Sequence, residues 1–162
     1  MDDGFYSDDV RLIAKLIEDE WSMYEPPVIN FEPESFMVNS RIGSIYIYHT
    51  SYRFEPSSVS YATMRKTSSI GIRISNRFRE HHLDWCNEVM RILLANRRAG
   101  ATNLNGYTYL TVDKFTPLNT LSGWYTTTVD ITLTGYAAPI QSPGFGERIN
   151  KEIECNRYSE EY

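Results

Sequence analysis

Three residues with metal-binding side chains lie close together in this sequence: His81, His82 and Cys86. They fall in a stretch with helical periodicity, where adjacent side chains point about 100° apart, so the two histidines cannot share one ion. His82 and Cys86, one helical turn apart, can share one. A zinc site needs further ligands, and the other cysteine, Cys155, is distant in the sequence. We therefore expect no metal site, and a partly buried His82 that packs beside Trp85.

Other catalytic arrangements are equally hard to assemble from these residues. No G-x-S-x-G turn is present, and Cys86 falls on the apolar side of the predicted helix, away from groups that activate a thiol. Asp113 and Asp130 lie on neighbouring predicted strands, but each more simply faces water among threonines. Gly144 and Gly146 lack the Lys-Ser/Thr sequence of a phosphate loop. We therefore predict a protein that is not an enzyme and that binds no cofactor.

The charge of the chain argues against a protein whose task is to grip phosphates. Its 162 residues suit a single domain, and the formal net charge is −5. The basic residues nevertheless cluster around the predicted central helix; they are Arg65, Lys66, Arg73, Arg77, Arg79, Arg97 and Arg98. A nucleic-acid-binding α+β module that stacks bases on tyrosines therefore stays open, although the aromatic signature of RNA-binding sheets is missing.

Several sequence features bear on where the protein is made and what it contacts. The first residues contain no basic and apolar signal-peptide regions, and no apolar run is long enough to span a membrane. The two cysteines do not require a disulfide, so a reduced, intracellular place of synthesis is the simplest interpretation. The 12 tyrosines are a surplus. Tyrosine suits a surface that stays wettable until a partner covers it, but β-rich chains also use tyrosine heavily.

Apolar periodicity predicts an α+β fold, in which a small, mostly antiparallel or mixed sheet of about four strands packs against one long helix and an N-terminal helix. The predicted elements are a helix at Ser7–Tyr24, strands at Ser44–Phe54 and Ser69–Ser75, a long helix at Asn76–Arg98, and strands at Tyr107–Phe115 and Trp124–Tyr136. Ser7 and Asn76 are the predicted N-caps. Residues 1–140 form the predicted domain, and residues 141–162 form a tail that is either mobile or docked on a neighbour.

Alternation predicts which side chains share a face. In the first strand it places Ile45 and Ile47 on one face and Tyr46, Tyr48, Tyr52 and Phe54 on the opposite face. In the first helix the apolar stripe is Val10, Ile13, Ala14, Ile17, Trp21 and Tyr24. In the long helix the predicted buried side is Phe78, His82, Trp85, Cys86, Val89, Ile92 and Leu93, and the predicted wet side is Arg79, Glu80, Asp84, Glu88 and Arg91. The stretches Glu55–Ser68 and Thr116–Gly123 are predicted as connections.

The order and lengths of these elements resemble the tail terminator proteins of long-tailed bacterial and archaeal viruses, also called tail completion or neck proteins. In that family an N-terminal helix precedes a β-hairpin with a long excursion, then a long helix, then a second β-hairpin. The corresponding segments here are Ser7–Tyr24, Ser44–Ser75, Asn76–Arg98 and Tyr107–Tyr136. The direct passage from strand to helix at Ile70–Asn76 also matches. The resemblance covers residues 7–136.

The resemblance implies a structural virion protein, made in the host cytoplasm and located where the tail meets the neck. Members of the family form a hexameric ring that ends the tail tube, docks the filled head and lets DNA pass. The implied partners are further copies of the chain, the tail tube protein, a head-completion or neck protein and a tail sheath protein, with no membrane and no specific DNA contact. A hexamer would carry a charge of about −30, which suits a bore through which DNA slides.

The residues that we predict for assembly lie on one strand and in two connections; they are Tyr46, Tyr48, Tyr52, Arg65, Lys66, Leu118 and Leu121. A ring needs head-to-tail contacts, and a tyrosine-rich strand supplies them without making the free monomer insoluble. Two alternatives stay open. One is another head-tail connector component, such as a head-completion stopper, and the other is the small nucleic-acid-binding module.

Overall fold

The computed structural model describes residues 8–32, 43–56, 64–97, 107–121 and 123–137. Two helices and five strands follow one another in this part of the chain; they are α1 (Asp9–Glu20), β1 (Ile29–Asn30), β2 (Gly43–Pro56), β3 (Met64–Asn76), α2 (Arg79–Ala95), β4 (Tyr107–Leu121) and β5 (Trp124–Ala137). The strands form one mixed sheet in the order β1-β2-β3-β5-β4, in which only β1 and β2 are parallel. The α+β class is therefore confirmed. The fifth strand, beyond the four long ones that were predicted, is the two-residue β1.

Both helices pack on one face of the sheet, called here the inner face. Ile47, Ile72 and Val129 stand opposite one another on β2, β3 and β5, and all three are fully buried. The helices meet this face with branched and aromatic side chains; they are Ile13 and Ile17 of α1 and Trp85, Val89, Ile92 and Leu93 of α2. The core is therefore a single apolar layer between two helices and one side of the sheet, as the alternation in the strands requires.

The opposite face of the sheet, called here the outer face, begins with two tyrosines of β2. Tyr46 stands opposite Arg73 of β3, and Tyr48 stands opposite Gly71. Neither α1 nor α2 packs against these residues, because the apolar sides of both helices are used on the inner face. Tyr46 and Tyr48 therefore lie on the face opposite Ile45 and Ile47, as predicted.

A β-bulge moves the later aromatic residues of β2 to the inner face. The register between β2 and β3 shifts between His49 and Ser51, and Tyr52 then stands opposite Ser68. Because side chains alternate strictly along a strand, one extra residue inverts the faces of all those that follow. The prediction that Tyr52 and Phe54 share a face with Tyr46 and Tyr48 is therefore wrong, because the bulge lies between the two pairs.

The helix α1 is shorter at both ends than the predicted segment. Its N-cap is Asp8, whose carboxylate accepts a hydrogen bond from the Arg11 backbone N–H at 3.2 Å, and the predicted cap Ser7 lies outside the described residues. The helix ends at Glu20, and Tyr24 is fully exposed instead of buried. The chain leaves the helix here because the backbone N–H of Ser22 is bonded to a carboxylate of α2.

That carboxylate belongs to Glu88, which was predicted on the wet side of α2 but is buried. Its Oε1 accepts hydrogen bonds from the Ser22 N–H at 2.8 Å, the Ser22 hydroxyl at 2.7 Å and Nη2 of Arg91 at 2.7 Å. Arg91 Nη2 also donates to the Glu20 carbonyl at 2.8 Å. The hydrogen bond from Arg91, helped by those from Ser22, lowers the pKa of Glu88 to about 2, although burial opposes it. Glu88 thus joins the end of α1 to the middle of α2.

The start of α2 also differs from the prediction. Its N-cap is Phe78 and not Asn76, and Phe78 is 59% exposed instead of buried. The remaining predicted apolar side of α2 is buried as expected; it comprises His82, Trp85, Cys86, Val89, Ile92 and Leu93. The helix ends at Ala95, earlier than predicted, and the predicted last residue Arg98 lies outside the described residues.

The excursion predicted between the first two long strands is much shorter in the structure. β2 continues to Pro56 and β3 begins at Met64, so the predicted connection Glu55–Ser68 is reduced to residues 57–63, which lie outside the described residues. Pairing persists to the end of both strands, where Glu55 stands opposite Arg65. The residues predicted as a loop are therefore largely part of the sheet.

Candidate assembly surface

The outer face carries a patch of two stacked tyrosines and one arginine, called here the outer-face patch (Tyr46, Tyr48, Gly71 and Arg73). The Tyr46 and Tyr48 rings are stacked, with centroids 5.1 Å apart. The guanidinium carbon of Arg73 lies 6.0 Å from the centroid of the Tyr48 ring. A Cβ atom on Gly71 would lie 2.2 Å from Cζ of Tyr48. The Tyr48 ring therefore occupies the space that a side chain at position 71 would fill. Aromatic and arginine side chains held in this way are typical of recognition surfaces.

Replacement of Gly71 by alanine tests whether the position of the Tyr48 ring matters for assembly. The added methyl group must push the ring off the sheet, but a ring at the end of a side chain can move. We expect the free energy of unfolding to change by less than about 1 kcal/mol, because the lost ring contact is offset by the better strand propensity of alanine. Self-association measured by sedimentation velocity should weaken. Unchanged assembly would show that the ring position is irrelevant.

Each of the two acids considered in the sequence, Asp113 and Asp130, has a polar neighbour on the adjacent strand. Asp113 accepts a hydrogen bond from the Thr132 hydroxyl, and Asp130 stands opposite Lys114 on the neighbouring strand. The rest of this face is mainly hydroxyl-bearing; its residues include Thr67, Ser69, Thr111, Thr128 and Thr134. These residues present polar hydrogen-bonding groups of low charge and no nucleophile with an attached base.

Arg65 and Lys66, predicted in a loop, lie on β3 and point to opposite faces. Arg65 Nη2 donates to Glu55 Oε2 at 2.9 Å, and Arg65 stays exposed. Lys66 is 5% exposed, and its ammonium lies 4.8 Å from the Tyr52 ring centroid and 5.4 Å from that of Tyr107. Lys66 and Tyr52 thus belong to the inner face, so the interface predicted from adjacent Arg65 and Lys66 is divided by the sheet.

The predicted turn Thr116–Gly123 is also mostly strand. β4 continues to Leu121 and β5 begins at Trp124, so residues 122–123 make the connection. Gly123 has φ +82°, a conformation that glycine adopts without strain and that tight hairpins need. The backbone of Leu118 stands opposite Thr126, and that of Leu121 opposite Trp124. The side chains of Leu118 and Leu121 lie outside the described part of the chain, so both stay predictions.

A polar cluster on the inner face was missed by sequence reasoning. The Tyr107 hydroxyl donates to Oδ2 of Asp9 at 2.6 Å, and both residues are buried beside Lys66. The His49 Nε2 and the Ser68 hydroxyl lie 3.0 Å apart. Burial lowers the pKa of His49, the Asp9 carboxylate opposes this, and the Lys66 ammonium adds to it. The cluster therefore joins β2, β3, β4 and the start of α1 through charged and hydrogen-bonded groups.

The pair formed by His49 and Ser68 has the residue types of a base and a nucleophile, but Ser68 is completely buried. A nucleophile needs contact with a substrate, so this pair satisfies buried polar groups and stabilises the sheet. A signal for the cluster was present in the sequence. Counting back by twos from the buried Ile70 places Ser68 and Lys66 on the same face as the apolar residues.

His82, the first candidate for chemistry, is held by hydrogen bonds from both ring nitrogens. Nδ1 lies 3.0 Å from Oδ1 of Asn76, and Nε2 lies 2.7 Å from the Thr127 hydroxyl. Because the amide oxygen only accepts, Nδ1–H donates to it. In the neutral imidazole Nε2 is then an acceptor, and the Thr127 hydroxyl donates to it. Burial lowers the pKa of His82, in agreement with that form.

Cys86 contacts this imidazole without becoming reactive. Its Sγ lies 3.6 Å from His82 Nε2, and burial raises the pKa of the thiol to about 11. A protonated, buried thiol is neither a nucleophile nor a ready metal ligand. The described residues contain no group of three or more His, Cys, Asp or Glu side chains that could hold a metal ion. Within those same residues, neither helix is long and apolar enough to cross a membrane.

The last strand of the sheet, β4, borders an open groove of about 680 Å³ between its edge and the end of α2. The groove is lined by Leu94, Ala95, Arg97, Tyr109, Leu110, Thr111 and Val112. The Leu110 N–H donates to the Arg97 carbonyl at 3.2 Å, so the chain that leaves α2 covers the edge at this position. Among the described residues, β4 pairs with β5 alone.

No model of a known protein family matches this chain, and no curated protein matches it.

Proposed function

We propose that this chain is a tail terminator, a structural virion protein whose copies form a hexameric ring that ends the tail tube and joins the tail to the head or neck. The main support is the one-sided architecture: two helices cover the inner face, and the outer face bears the outer-face patch. A head-to-tail ring needs two different surfaces on every copy. The outer-face patch and the exposed side of α2 are two such surfaces.

The succession of elements also supports this proposal. A helix, a long hairpin, a second helix and a second long hairpin follow in the order of the family that the sequence resembles. The edge of β4 and its groove suit a further contact with the tail tube protein, because an unpaired edge strand can bind an extended segment. The head-completion or neck protein and a sheath protein are the other proposed partners, with DNA passing through the ring in the virion.

The nucleic-acid-binding module is the second candidate, and the Arg73 guanidinium over the Tyr48 ring favours it. Such a pair can stack a base and hold a phosphate. The same face, however, bears the carboxylates of Glu55, Asp113 and Asp130, and the whole chain has a charge of −5. Arg65 and Lys114 stand beside these acids, so the charges of the face are mixed, and the net negative charge of the chain favours the assembly function. A head-completion stopper would use the same ring contacts in another layer of the neck.

The mass of the purified protein at low and high concentration tests the proposal. Light scattering should show a closed assembly near six times the chain mass of 18.8 kDa, either alone or after tail tubes are added. Negative-stain images should show a six-fold ring that caps the tubes. A strict monomer that ignores tubes and shifts a labelled oligonucleotide in a salt-dependent way would contradict the proposal and favour the nucleic-acid module.

A further inference from the structure

Arg73 of the outer-face patch has a buried nitrogen without a hydrogen-bond partner among the described residues. Its Nε is buried and makes no hydrogen bond, and no described carboxylate lies within ion-pair distance of it. The nearest acid in register is Asp130, opposite Gly71 on the neighbouring strand. The Arg73 guanidinium forms no ion pair with the described residues, so an incoming carboxylate that reaches its outer nitrogens would gain a charge-assisted contact.

A complementary surface lies on the exposed side of α2. Glu80, Leu83, Asp84 and Asn87 follow at three- and four-residue steps and are all exposed, so they form one stripe, called here the acidic ridge. Leu83 is 51% exposed. The carboxylates of Glu80 and Asp84 form no ion pair with the described residues. The ridge therefore presents two carboxylates with an apolar side chain beside them.

We infer that the acidic ridge of one copy docks on the outer-face patch of the next copy, with Leu83 against the two tyrosines and Glu80 or Asp84 on the Arg73 guanidinium. The inference rests on the proposed ring and specifies its subunit contact. The two surfaces match in chemistry, since one is apolar with acids and the other aromatic with a cation. They lie on opposite layers of the domain, so the contact is head-to-tail, and it forms a ring where the rotation between successive copies closes.

Charge reversal tests this contact, because a head-to-tail contact predicts the behaviour of a mixture. The variant Arg73→Glu should self-associate at least about tenfold more weakly than the unaltered protein, since its outer face then repels the ridge. The double variant Glu80→Arg/Asp84→Arg should be weakened similarly. An equimolar mixture of the two should assemble. The altered patch of the first variant meets the altered ridge of the second with opposite charge, and the unaltered patch of the second meets the unaltered ridge of the first. A ring of six in which the two variants alternate therefore contains only matched contacts. Sedimentation velocity measures all three samples.

Matched controls show whether a loss of assembly comes from this contact, from misfolding or from the change in net charge. Thermal unfolding of each variant at low concentration should resemble that of the unaltered protein. A double variant Glu18→Arg/Asp19→Arg reverses two exposed acids of α1 and should neither lose assembly nor rescue Arg73→Glu. Failure of the mixture to assemble, or full assembly of Arg73→Glu alone, overturns the contact and leaves the ring proposal standing.

Two other outcomes separate the contact from the ring function. Mixed variants that form open chains or simple pairs, with no closed ring for the unaltered protein, support the contact and contradict the terminator function. An unaltered protein that stays monomeric and binds a labelled single-stranded oligonucleotide, with binding lost in Arg73→Glu, overturns the contact and identifies Arg73 as a phosphate-binding residue.

Discussion

Replacing Gly43 by alanine is expected to lower the free energy of unfolding by about 3 kcal/mol. Gly43 begins β2 and stands opposite Asn76, the last residue of β3. A methyl group on Gly43 would lie 2.2 Å from Nδ2 of Asn76 and 2.5 Å from the Ser75 carbonyl oxygen. That oxygen belongs to the backbone of a central strand, so the close-packed surroundings cannot yield without moving the strand.

The same methyl group would disturb the hydrogen bonds of His82. Asn76 is completely buried, and its Oδ1 accepts the hydrogen bond from His82 Nδ1 at 3.0 Å. Displacement of the amide leaves the imidazole N–H without an acceptor in a buried place, which costs free energy in addition to the steric overlap. The expected loss therefore combines overpacking with a broken polar network.

Urea unfolding of Gly43→Ala and Gly71→Ala measures this effect against a matched control. Both substitutions add one methyl group to the same sheet, but the obstacle at Gly71 is the movable Tyr48 ring instead of backbone. The Gly43 variant should lose about 3 kcal/mol and the Gly71 variant less than about 1 kcal/mol. Equal losses in the two variants would contradict this account of the strand end.

Replacing Glu88 by glutamine is expected to lower the free energy of unfolding at pH 7 by about 2–3 kcal/mol. The Glu88 carboxylate accepts hydrogen bonds from Ser22 and Arg91, which lower its pKa from 4.5 to about 2. Because the pKa is lower in the folded state, the ionised form stabilises the fold. A glutamine keeps the size of the side chain and loses that charge.

The effect has a defined pH dependence. The stabilisation by Glu88 is fully present above pH 4.5, where the carboxyl is ionised in both states, and is lost as the pH falls toward about 2. The difference between Glu88→Gln and the unaltered protein should therefore be largest near neutral pH and should shrink between pH 4.5 and the lowest pH at which the fold persists.

Thermal and urea unfolding from pH 7 down to pH 3 checks this expectation. The control is Glu18→Gln, which removes the charge of an exposed glutamate on α1 and should change stability by less than about 0.5 kcal/mol. A stability difference for Glu88→Gln that does not depend on pH would show that its carboxylate is not the group that joins the helices.

Most of the fold could be predicted from local patterns. The alternation of Ile70, Ile72 and Ile74, and the helical spacing of Trp85, Val89 and Ile92, identified a strand and a helix whose sides are buried as expected. Such patterns suffice because each element must bury one side, and the period of the apolar residues records which side. Element ends were less accurate, as the late start of α2 at Arg79 shows.

The candidate assembly surface could be predicted only in part. Tyr46 and Tyr48 lie on the outer face as alternation indicated, but the bulge after His49 takes Tyr52 to the inner face. Arg73 was seen only as one member of a basic cluster, and its position over Tyr48 depends on the space left by Gly71. A contact of this kind joins two strands, so neither strand alone contains the information.

By itself, the sequence determined the α+β class, the order of the elements and the apolar sides of the helices, because these follow from periodicity within each segment. Alternation already placed Lys66 on the inner face, but only the tertiary structure decided which groups surround it there, Tyr52 and Tyr107. Only the tertiary structure likewise decided the burial of Glu88 against Ser22. In both cases a charged side chain is tolerated inside because partners from distant parts of the chain reach it. Local pattern records the solvent preference of a residue, but the partners that outweigh that preference are set by the packing of the whole domain.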